Sequence, residues 1–363
     1  MLKPAFSGQD QTFARAFDLL REGIAAQAFP GAVLAVVWRG ELVALKALGR
    51  FTYDADATEV AADSIYDLAS VTKIVATTAT AMVLYERGLL DLDMPARAAL
   101  PEFAGADPRR DEVSVRDLLA HTSGLPAYVR LFESCKTREE LVRAACRTPL
   151  EAAPGERTCY SDIGFIVLGE VLAHLADEAL DSFCRREIFG RLGMTETGFN
   201  PPAAWKARIP PSEQDRTFRK RVIEGEVNDE NAAVMNGVAG HAGVFAAAMD
   251  VARFAATILE NGGALVRPET LRVFAQKHPA KSGEARALGF DVPTPPSQAG
   301  QYFSPGSLGH LGFTGCSLWT DLERGLAVVL LTNRTWPDRS SKQIQRVRPQ
   351  VHDAVCEALG LGG

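Results

Sequence analysis

Hydrophobic positions near the N-terminus follow first a helical and then a strand-like pattern. Apolar residues spaced four, three and four positions apart predict an amphipathic helix, and they are Phe13, Phe17, Leu20 and Ile24. Two apolar runs follow, GAVLAVVW at 31–38 and ELVALKALGRF at 41–51, with Arg39 and Gly40 between them. Apolar runs on either side of a short glycine-containing turn predict a β-hairpin.

The middle of the chain is mainly helical in pattern, and strand character returns near its end. Helix-like stretches, separated by loops that contain Pro and Gly, cover residues 71–87, 114–120, 138–147, 161–176 and 250–261. The segments 316–321 and 326–333 flank another short turn and predict a second hairpin. A last helix with one apolar face closes the sequence, and Pro349 is expected either to start it or to kink it.

This order of elements predicts an α/β (α+β) fold. The economical arrangement is an antiparallel sheet built from both ends of the chain and flanked by terminal helices, with a mainly helical domain inserted between them. The predicted division assigns residues 1–68 and 285–363 to the sheet-containing domain and residues 69–284 to the helical insertion. A functional site is then expected at the junction of the two domains.

Composition and charge exclude several classes of protein. The 363 residues are 47% hydrophobic and 23% charged, which is ordinary for a globular protein. The net charge of -6 offers no basic field to a nucleic acid. No stretch approaches the ~20 apolar residues of a membrane span, and the first residues lack the apolar segment of a secretory signal, so we expect a cytoplasmic protein.

Cysteine and histidine spacing gives no sign of a metal site. The six cysteines include no CxxC pair, and in a chain of this length they are expected to be buried, reduced thiols. The six histidines form neither an HExxH pair nor a cluster with cysteine. We therefore expect neither a metal nor another cofactor.

Candidate chemistry begins in the segment DLASVTKIVATTATAMVLYERG, residues 67–88. Ser70 and Lys73 lie three positions apart on one helix face, so the lysine amine can reach the serine oxygen. The stretch 74–84 has no charged residue, which predicts a helix buried nearly all round. Burial lowers the pKa of a lysine, and a serine becomes a good nucleophile once a base takes its proton. The alternative is an N-cap serine beside an exposed lysine.

Two further segments supply groups that a reactive serine needs. CYSDIGFIVLGEVL (159–172) places Tyr160 at the start of an apolar helix, where a phenol can shuttle a proton. GHLGFTGCSLWTD (309–321) places His310 and Gly312 where the chain enters a strand. Glycine there would let the backbone approach a substrate and donate an N–H to an oxyanion. A core tyrosine and a glycine-rich junction are the structural alternatives.

The three segments, in this order, resemble the motifs of the serine β-lactamase and penicillin-binding-protein superfamily. The likeness is closest to the class C-like branch, which includes family VIII carboxylesterases and D-amino-acid-specific peptidases. The segments Ser70–Lys73, Tyr160–Asp162 and His310–Gly312 resemble, respectively, the Ser-x-x-Lys, Tyr-x-Asn and Lys-Thr-Gly motifs, the last in its His-x-Gly form. Further resemblance in the stretches 30–43, 115–126 and 243–254 extends the likeness over nearly the whole chain.

The resemblance implies a β-lactamase/transpeptidase-like fold and a role for each motif. Ser70 would be the acylated nucleophile, and Lys73 and Tyr160 would be its acid and base partners. Which of these two takes the first proton stays open. The backbone N–H groups of Ser70 and Phe313 would form the oxyanion hole.

Two positions depart from the family pattern. Asp162 stands where an asparagine is common, and a carboxylate accepts hydrogen bonds without donating them. His310 stands where a lysine is common, and histidine is largely neutral near pH 7. Both changes reduce positive charge in the expected site, which favours esters of small or uncharged acids, or amides whose amine would face Asp162, over β-lactams. Capping of the helix over 161–176 is an alternative role for Asp162.

Three other polar features are less informative. Asp229 and Glu230 fall in a polar stretch that is expected to be a solvated turn rather than a metal site. His241 is expected either to line the pocket or to be a structural loop histidine. The loop-like segment 292–307 is expected to border the site.

Together these patterns predict a cofactor-independent serine hydrolase that forms an acyl-enzyme with a small-molecule ester or amide. The chain lacks the Gly-x-Ser-x-Gly of an α/β-hydrolase and a Gly-x-Gly-x-x-Gly after a strand. A carboxylesterase ranks first, a peptidase or amidase for D-residue or cell-wall peptides second, and a β-lactamase third. A penicillin-binding-type sensor on the same scaffold is the non-enzymatic alternative. The sequence indicates neither the physiological substrate nor the oligomeric state.

Overall fold

The computed structural model describes residues 2–362. Its strands are β1 (Lys3–Pro4), β2 (Gly31–Trp38), β3 (Glu41–Gly49), β4 (Ile65–Asp67), β5 (Thr197–Phe199), β6 (Glu213–Asp215), β7 (Arg221–Ile223), β8 (Val244–Ala247), β9 (Leu308–Leu311), β10 (Ser317–Asp321) and β11 (Leu326–Thr332). Its α-helices are α1 (Gln9–Thr12), α2 (Ala14–Ala25), α3 (Ala79–Glu86), α4 (Ala96–Ala99), α5 (Val115–Leu119), α6 (Arg138–Arg147), α7 (Asp162–Ala176), α8 (Leu180–Cys184), α9 (Gly190–Leu192), α10 (Glu230–Val234), α11 (Ala248–Leu259), α12 (Pro268–Ala275) and α13 (Ile344–Ala358).

Both ends of the chain build the main sheet, as the sequence predicts. Its strand order is β1-β3-β2-β11-β10-β9. All neighbours pair antiparallel except the two-residue β1, which runs parallel to β3. The predicted hairpins are β2–β3 and β10–β11, and they join through the pairing of β2 with β11. The predicted mixed α/β class with an antiparallel sheet is confirmed.

Helices cover both faces of this sheet, which explains why β2 is apolar throughout. Strand side chains alternate between faces. Leu34 and Val36 belong to the apolar cluster formed with α2 and α13, whereas Val33 and Ala35 belong to the larger cluster that includes α11. A strand buried on both sides needs a continuous apolar run rather than an alternating one. The division of the chain into a sheet-containing domain and a helical insertion over residues 69–284 stays a prediction.

The segment that begins at Ala69 forms one buried helical element of three successive geometries. Ala69–Val71 is a 3₁₀ turn, Lys73–Thr78 is π-helical, and the α-helix α3 follows directly. Every residue from 71 to 84 is buried, as the absence of charge between 74 and 84 predicts. A π-helical stretch widens the turn and is often found at functional sites.

A small second sheet anchors the start of this helical segment. Its order is β4-β8-β5, and the Leu68 N–H beyond the end of β4 donates to the Val244 carbonyl (2.9 Å). Ser70, the candidate nucleophile, therefore follows a strand end that is held in place by hydrogen bonds, rather than a free loop. Within residues 2–362, no helix is long and apolar enough to cross a membrane.

Candidate active site

Lys73 is the centre of the polar cluster at the predicted site. Its Nζ lies 3.0 Å from Ser70 Oγ, 2.7 Å from Asp162 Oδ1 and 3.0 Å from the carbonyl oxygen of His241. The side chain is fully buried. Three acceptors satisfy an ammonium, and a neutral amine could instead donate to Asp162 and His241 while accepting from the Ser70 hydroxyl. Both protonation states therefore fit one geometry.

Two glycines bring the His241 carbonyl within reach of Lys73. A Cβ on Gly169 of α7 would lie 2.9 Å from the Gly240 Cα, and a Cβ on Gly240 would collide with the Phe165 carbonyl. The Thr77 hydroxyl, on the helical segment of Lys73, donates to the Gly240 carbonyl (2.6 Å). The loop that contains Gly240 passes so close to α7 that only glycine fits at these two positions. Its contacts hold it against α7 and against the helical segment of Lys73.

The pKa of Lys73 is shifted in the direction opposite to the sequence expectation. Burial by itself lowers the pKa of this amine. The Asp162 carboxylate and Tyr160 outweigh burial and raise the pKa above its ordinary value. The expectation of a lowered pKa was wrong, because the sequence did not reveal that Asp162 forms an ion pair with the lysine.

Tyr160 lies over the same cluster, just before α7. Lys73 Nζ is 4.9 Å from the centre of its ring, and the Arg286 guanidinium is 5.2 Å from it on the loop before β9. Burial and the Asp162 charge raise the pKa of the phenol, whereas Lys73 and Ser70 oppose that rise. The His121 ring packs at 4.7 Å between centroids, and His121 Nδ1 accepts from the Ser161 N–H (3.0 Å), which orients this turn.

Of the two roles considered for Asp162, helix capping is excluded and contact with a substrate stays a prediction. The N-cap of α7 is Ser161, whose hydroxyl oxygen accepts from the Gly164 N–H (2.9 Å), so the capping role was wrong. Asp162 instead pairs with Lys73, although it also lines the cavity described below. Its charge is therefore partly neutralised by Lys73 in the free protein.

Gly312, just beyond the end of β9, packs against the segment 67–71 that carries Ser70. We refer to this segment as the nucleophile turn. A Cβ on Gly312 would lie 2.5 Å from the Leu68 carbonyl oxygen, so only glycine permits this approach. The Thr314 hydroxyl donates to the Asp67 carbonyl (2.8 Å) and holds the two segments together. Among residues 2–362, the amides of Ser70 and Phe313 have no hydrogen-bond acceptor. Ser70 lies just beyond β4 and Phe313 just beyond β9, and an oxyanion hole requires two unpaired N–H groups of this kind.

His310 is buried in β9 and neutral. Its Nδ1 lies 2.8 Å from the Leu311 carbonyl, and since a carbonyl only accepts, Nδ1 carries the proton. Burial, Lys73 and Arg286 lower the pKa of His310 well below its ordinary value. Nε2 therefore has a free lone pair, and within residues 2–362 it has no donor. The expectation of a neutral residue at this position fits the geometry.

A cavity of about 880 Å³ opens over these groups. Ser70, Tyr160, Asp162, His310, Gly312 and Phe313 all line it. Gln298 contributes the predicted border from the 292–307 loop. Tyr128 and Phe313 are large hydrophobic side chains that stay 40% and 47% exposed in its wall. Five basic residues that the sequence did not single out also line the cavity: Arg286, Arg334, Arg339, Lys342 and Arg348.

These basic residues contradict the expectation of a site short of positive charge. Each carboxylate that lines the cavity faces a basic side chain of the protein. The pairs are Asp162–Lys73 at 2.7 Å, Asp229–His241 at 2.8 Å, Glu230–Arg339 at 3.0 Å and Asp291–Arg286 at 3.5 Å. The sequence showed no sign of the five because they are scattered from position 286 to 348, outside the three motifs.

The stretch around Asp229 forms part of the site rather than a solvated turn. Asp229 caps α10 by accepting from the Ala232 N–H (2.7 Å), and it contacts His241 Nε2 (2.8 Å). Burial opposes its ionisation, but His241 and the capping bond hold the pKa of Asp229 below its ordinary value. His241 is buried and is not among the cavity-lining residues, which fits the structural one of the two roles expected for it. No cluster of three or more potential metal ligands occurs within residues 2–362.

Comparison with known proteins finds relatives in the superfamily that the sequence motifs resemble. A model of the family described as Beta-lactamase matches residues 16–351. A protein of Bacillus subtilis (strain 168), described as "N-acetylmuramyl-L-alanine amidase", is 30% identical over 358 residues, covering 88% of this chain and 80% of the relative.

Solved structures share the fold at lower sequence identity. The structure of "EstCE1, a hydrolase with promiscuous acyltransferase activity" matches with a TM-score of 0.78 and 24% identity, covering 96% of this chain and 99% of that one. The octameric penicillin-binding protein homologue from Pyrococcus abyssi matches with a TM-score of 0.74 and 20% identity, covering 96% of this chain and 77% of the other. These matches extend the resemblance from the motifs to the whole architecture.

Proposed function

The chain belongs to the Beta-lactamase family, and we propose that it is a serine hydrolase that cleaves carboxylic esters through an acyl-enzyme on Ser70. The observation that carries this proposal is the 3.0 Å contact between Lys73 Nζ and Ser70 Oγ at the wall of an open cavity. A buried lysine in contact with a serine hydroxyl is a means of activating a nucleophile without a histidine.

In the first half of the reaction, Ser70 Oγ attacks the substrate carbonyl carbon. Its proton passes either to Lys73, whose Nζ lies 3.0 Å from Ser70 Oγ, or to Tyr160. The carbonyl oxygen becomes negatively charged and accepts from the amides of Ser70 and Phe313. The C–O bond then breaks, the leaving alcohol takes the proton, and an ester to Ser70 remains.

In the second half, water attacks the acyl-enzyme. The same two side chains accept a proton from water and return one to Ser70 Oγ, so the acid is released and the free enzyme regenerated. Asp162 and the His241 carbonyl keep Lys73 Nζ beside Ser70 Oγ throughout. The protein supplies every proton carrier that this cycle uses.

The proposal is tested with p-nitrophenyl butyrate and intact-mass spectrometry. We expect a burst of p-nitrophenol followed by slower turnover, and one covalent adduct after treatment with a fluorophosphonate. Ser70→Ala should lose the burst, the turnover and the adduct, whereas Ser134→Ala, at an exposed position, should keep all three. Wild-type activity in Ser70→Ala would remove this serine from the mechanism. An adduct without turnover would favour the sensor alternative.

An amidase that acts on an acidic peptide is the second candidate. The Bacillus subtilis relative is described as an amidase, and the basic residues of the cavity suit a substrate with negative charge. The same acyl-enzyme cycle would serve, with an amine as leaving group. This candidate shares Ser70 and Lys73 with the first and differs only in the bond that is cleaved.

A further inference from the structure

Ala69, the residue before Ser70, has a backbone conformation that alanine ordinarily avoids. Its φ is +46°, in the left-handed region that a side chain with a Cβ disfavours. Because the peptide unit between Ala69 and Ser70 is planar, the backbone dihedral angles of Ala69 set the direction of the Ser70 N–H. A strained backbone persists only where its surroundings hold it, so the direction of this N–H depends on a contact to Ala69.

The Asp67 carboxylate makes that contact. Asp67 is the last residue of β4, and its Oδ1 accepts from the Ala69 N–H (2.8 Å), as an aspartate does with a backbone N–H two residues on. Its Oδ2 accepts from the Asn228 N–H (2.7 Å), which fixes the carboxylate from the other side. An ionised carboxylate offers one acceptor oxygen to each of these N–H groups, whereas an amide has only one to share.

This carboxylate is buried without a counter-ion. Asp67 is 5% exposed, and within residues 2–362 no basic nitrogen lies within 4.0 Å of its carboxylate oxygens. Burial raises the pKa of Asp67 to about 6, although the N–H groups of Asn228 and Ala69 lower it. A charge buried in this way is costly. An ion pair therefore does not account for an aspartate at this position, whereas the two N–H bonds do.

The main chain of Asp67 contacts the segment of the second expected oxyanion donor. Its carbonyl accepts from the Thr314 hydroxyl (2.8 Å), and Thr314 directly follows Phe313. The pairing of Asp67 with Phe245 of β8 keeps this part of the backbone in the second sheet. Asp67 thus contacts the residue before the Ser70 amide and the residue after the Phe313 amide.

We propose that Asp67 is a positioning residue whose carboxylate holds Ala69 in the left-handed conformation and so directs the Ser70 N–H towards the substrate carbonyl oxygen. The inference rests on the proposed function, since an oxyanion forms only if Ser70 attacks a carbonyl. Asp67 itself does not line the cavity. Its loss should lower kcat rather than raise KM, because a bond to the oxyanion strengthens in the transition state.

The test measures kcat and KM for p-nitrophenyl butyrate in Asp67→Ala, which removes both acceptor oxygens. We expect kcat to fall by about tenfold to a hundredfold, as displacement of a reacting group does, with KM nearly unchanged. Rates are referred to the protein that a fluorophosphonate labels at completion, and melting temperatures report folding. The control is Asp321→Ala, at the buried end of β10, where the carboxylate also accepts from backbone N–H groups, those of Ser304 (2.8 Å) and Glu323 (3.1 Å). It should lower the melting temperature and keep kcat.

A second substitution at the turn separates positioning from stability. Glycine adopts a positive φ without the cost that alanine incurs, so in Ala69→Gly the turn depends less on the carboxylate. Asp67→Ala should therefore reduce kcat by a smaller factor in the Ala69→Gly background than in the wild type, which a double-mutant cycle measures. Asp67→Ser should keep more of kcat than Asp67→Ala, because a serine hydroxyl can also accept from the N–H two residues on.

Four outcomes would overturn the proposal. They are wild-type kcat in folded Asp67→Ala, an equal loss of kcat in Asp321→Ala, equal factors in the two backgrounds, and no advantage of Asp67→Ser over Asp67→Ala. If Asp67→Ala does not fold, the double variant decides, since a kcat close to that of Ala69→Gly supports the proposal and one about tenfold lower contradicts it. The burst and labelling of the wild type report the proposed function separately, because their absence would mean that the hydrolase itself is wrong.

Discussion

Asp162 influences the charge state of Lys73 and Tyr160, the two groups proposed to carry protons. Its carboxylate lies 2.7 Å from Lys73 Nζ and raises the pKa of both Lys73 and Tyr160. A negative charge favours the protonated form of a neighbouring amine or phenol. In the proposed cycle either residue has to be deprotonated to accept the Ser70 proton, so we expect Asp162 to shift the start of activity to higher pH.

We predict that Asp162→Asn moves the rise of kcat/KM with pH to lower pH. Removal of the carboxylate lowers the pKa of Lys73 and of Tyr160, so whichever residue is the base becomes available in more acidic solution. The plateau should change by less than about tenfold, because the amide oxygen can still accept from Nζ. The measurement is a pH profile with p-nitrophenyl butyrate.

The control for this variant is Glu230→Gln. Glu230 also lines the cavity but pairs with Arg339 (3.0 Å) rather than with Lys73. Its replacement should leave the rise at the wild-type pH. If the rise in Asp162→Asn also stays there, the control of proton transfer by Asp162 is refuted.

The candidate site residues that could be predicted from the sequence are those that belong to short local motifs. Ser70 and Lys73 are three positions apart, so helix geometry alone predicts their contact. The Lys73–Asp162 pair spans 89 positions, and Arg334 and Arg348 lie in segments without a motif. Long-range ion pairs depend on tertiary packing, which one sequence does not reveal. The roles of Ser70, Lys73, Tyr160, His310 and Phe313 stay predictions until the variants are measured.

Among the structural elements, the β9–β10 connection is the one that completes the site. Gly312 passes against the Leu68 carbonyl, and Thr314 is bonded to the Asp67 carbonyl. Asp67 also accepts from the Ala69 N–H (2.8 Å) and the Asn228 N–H (2.7 Å) through its carboxylate. Three segments far apart in the chain are thereby joined at the nucleophile turn.

We predict that Gly312→Ala lowers kcat by about a hundredfold or more, as loss of one oxyanion donor does. The added methyl group would lie 2.5 Å from the Leu68 carbonyl oxygen, a backbone atom that cannot rotate away, so Phe313 must move from Ser70. The measurement is steady-state kinetics with p-nitrophenyl butyrate, together with the melting temperature to confirm folding.

Gly306→Ala is the matched glycine control. Its added Cβ would lie 3.3 Å from the end of the flexible Glu323 side chain, which can shift at little cost. We expect nearly wild-type kinetics from it. A folded Gly312→Ala enzyme with wild-type kcat would contradict the placement of the oxyanion hole at this strand end.

The helices and strands were predicted correctly where the periodic pattern of hydrophobic residues is long. The hairpin strands β2 and β11 and the helices α6 and α7 match the predicted bounds within one residue at each end. The second sheet was missed because β4 and β5 have three residues each and β8 has four, too few to show a period. The helix predicted over 71–87 exists, but its start contains a 3₁₀ turn and a π-helical stretch that the hydrophobic pattern does not reveal.

At the scale of the whole molecule, one apolar core runs through both predicted domains. Val33 and Leu331 of the main sheet belong to the same buried cluster as Ile166 of α7 and Phe254 of α11. α11, which falls within the predicted insertion 69–284, packs on β2 and β11. The cavity is likewise lined by residues of both predicted domains, by Ser70 and Tyr160 from one and by Arg334 and Arg348 from the other.

A shared core predicts that the molecule unfolds in a single cooperative transition. Differential scanning calorimetry should show one peak whose calorimetric and van't Hoff enthalpies agree. Leu330→Ala in β11 and Ile166→Ala in α7 each empty a fully buried site, at a cost of about 2–5 kcal/mol. Both variants should lower the temperature of that one peak, whereas Leu89→Ala, at a 51% exposed position, should leave it in place. If residues 69–284 were an independent unit, Ile166→Ala would move one of two separate peaks and leave the other, since a buried cavity weakens only the cooperative unit that contains it.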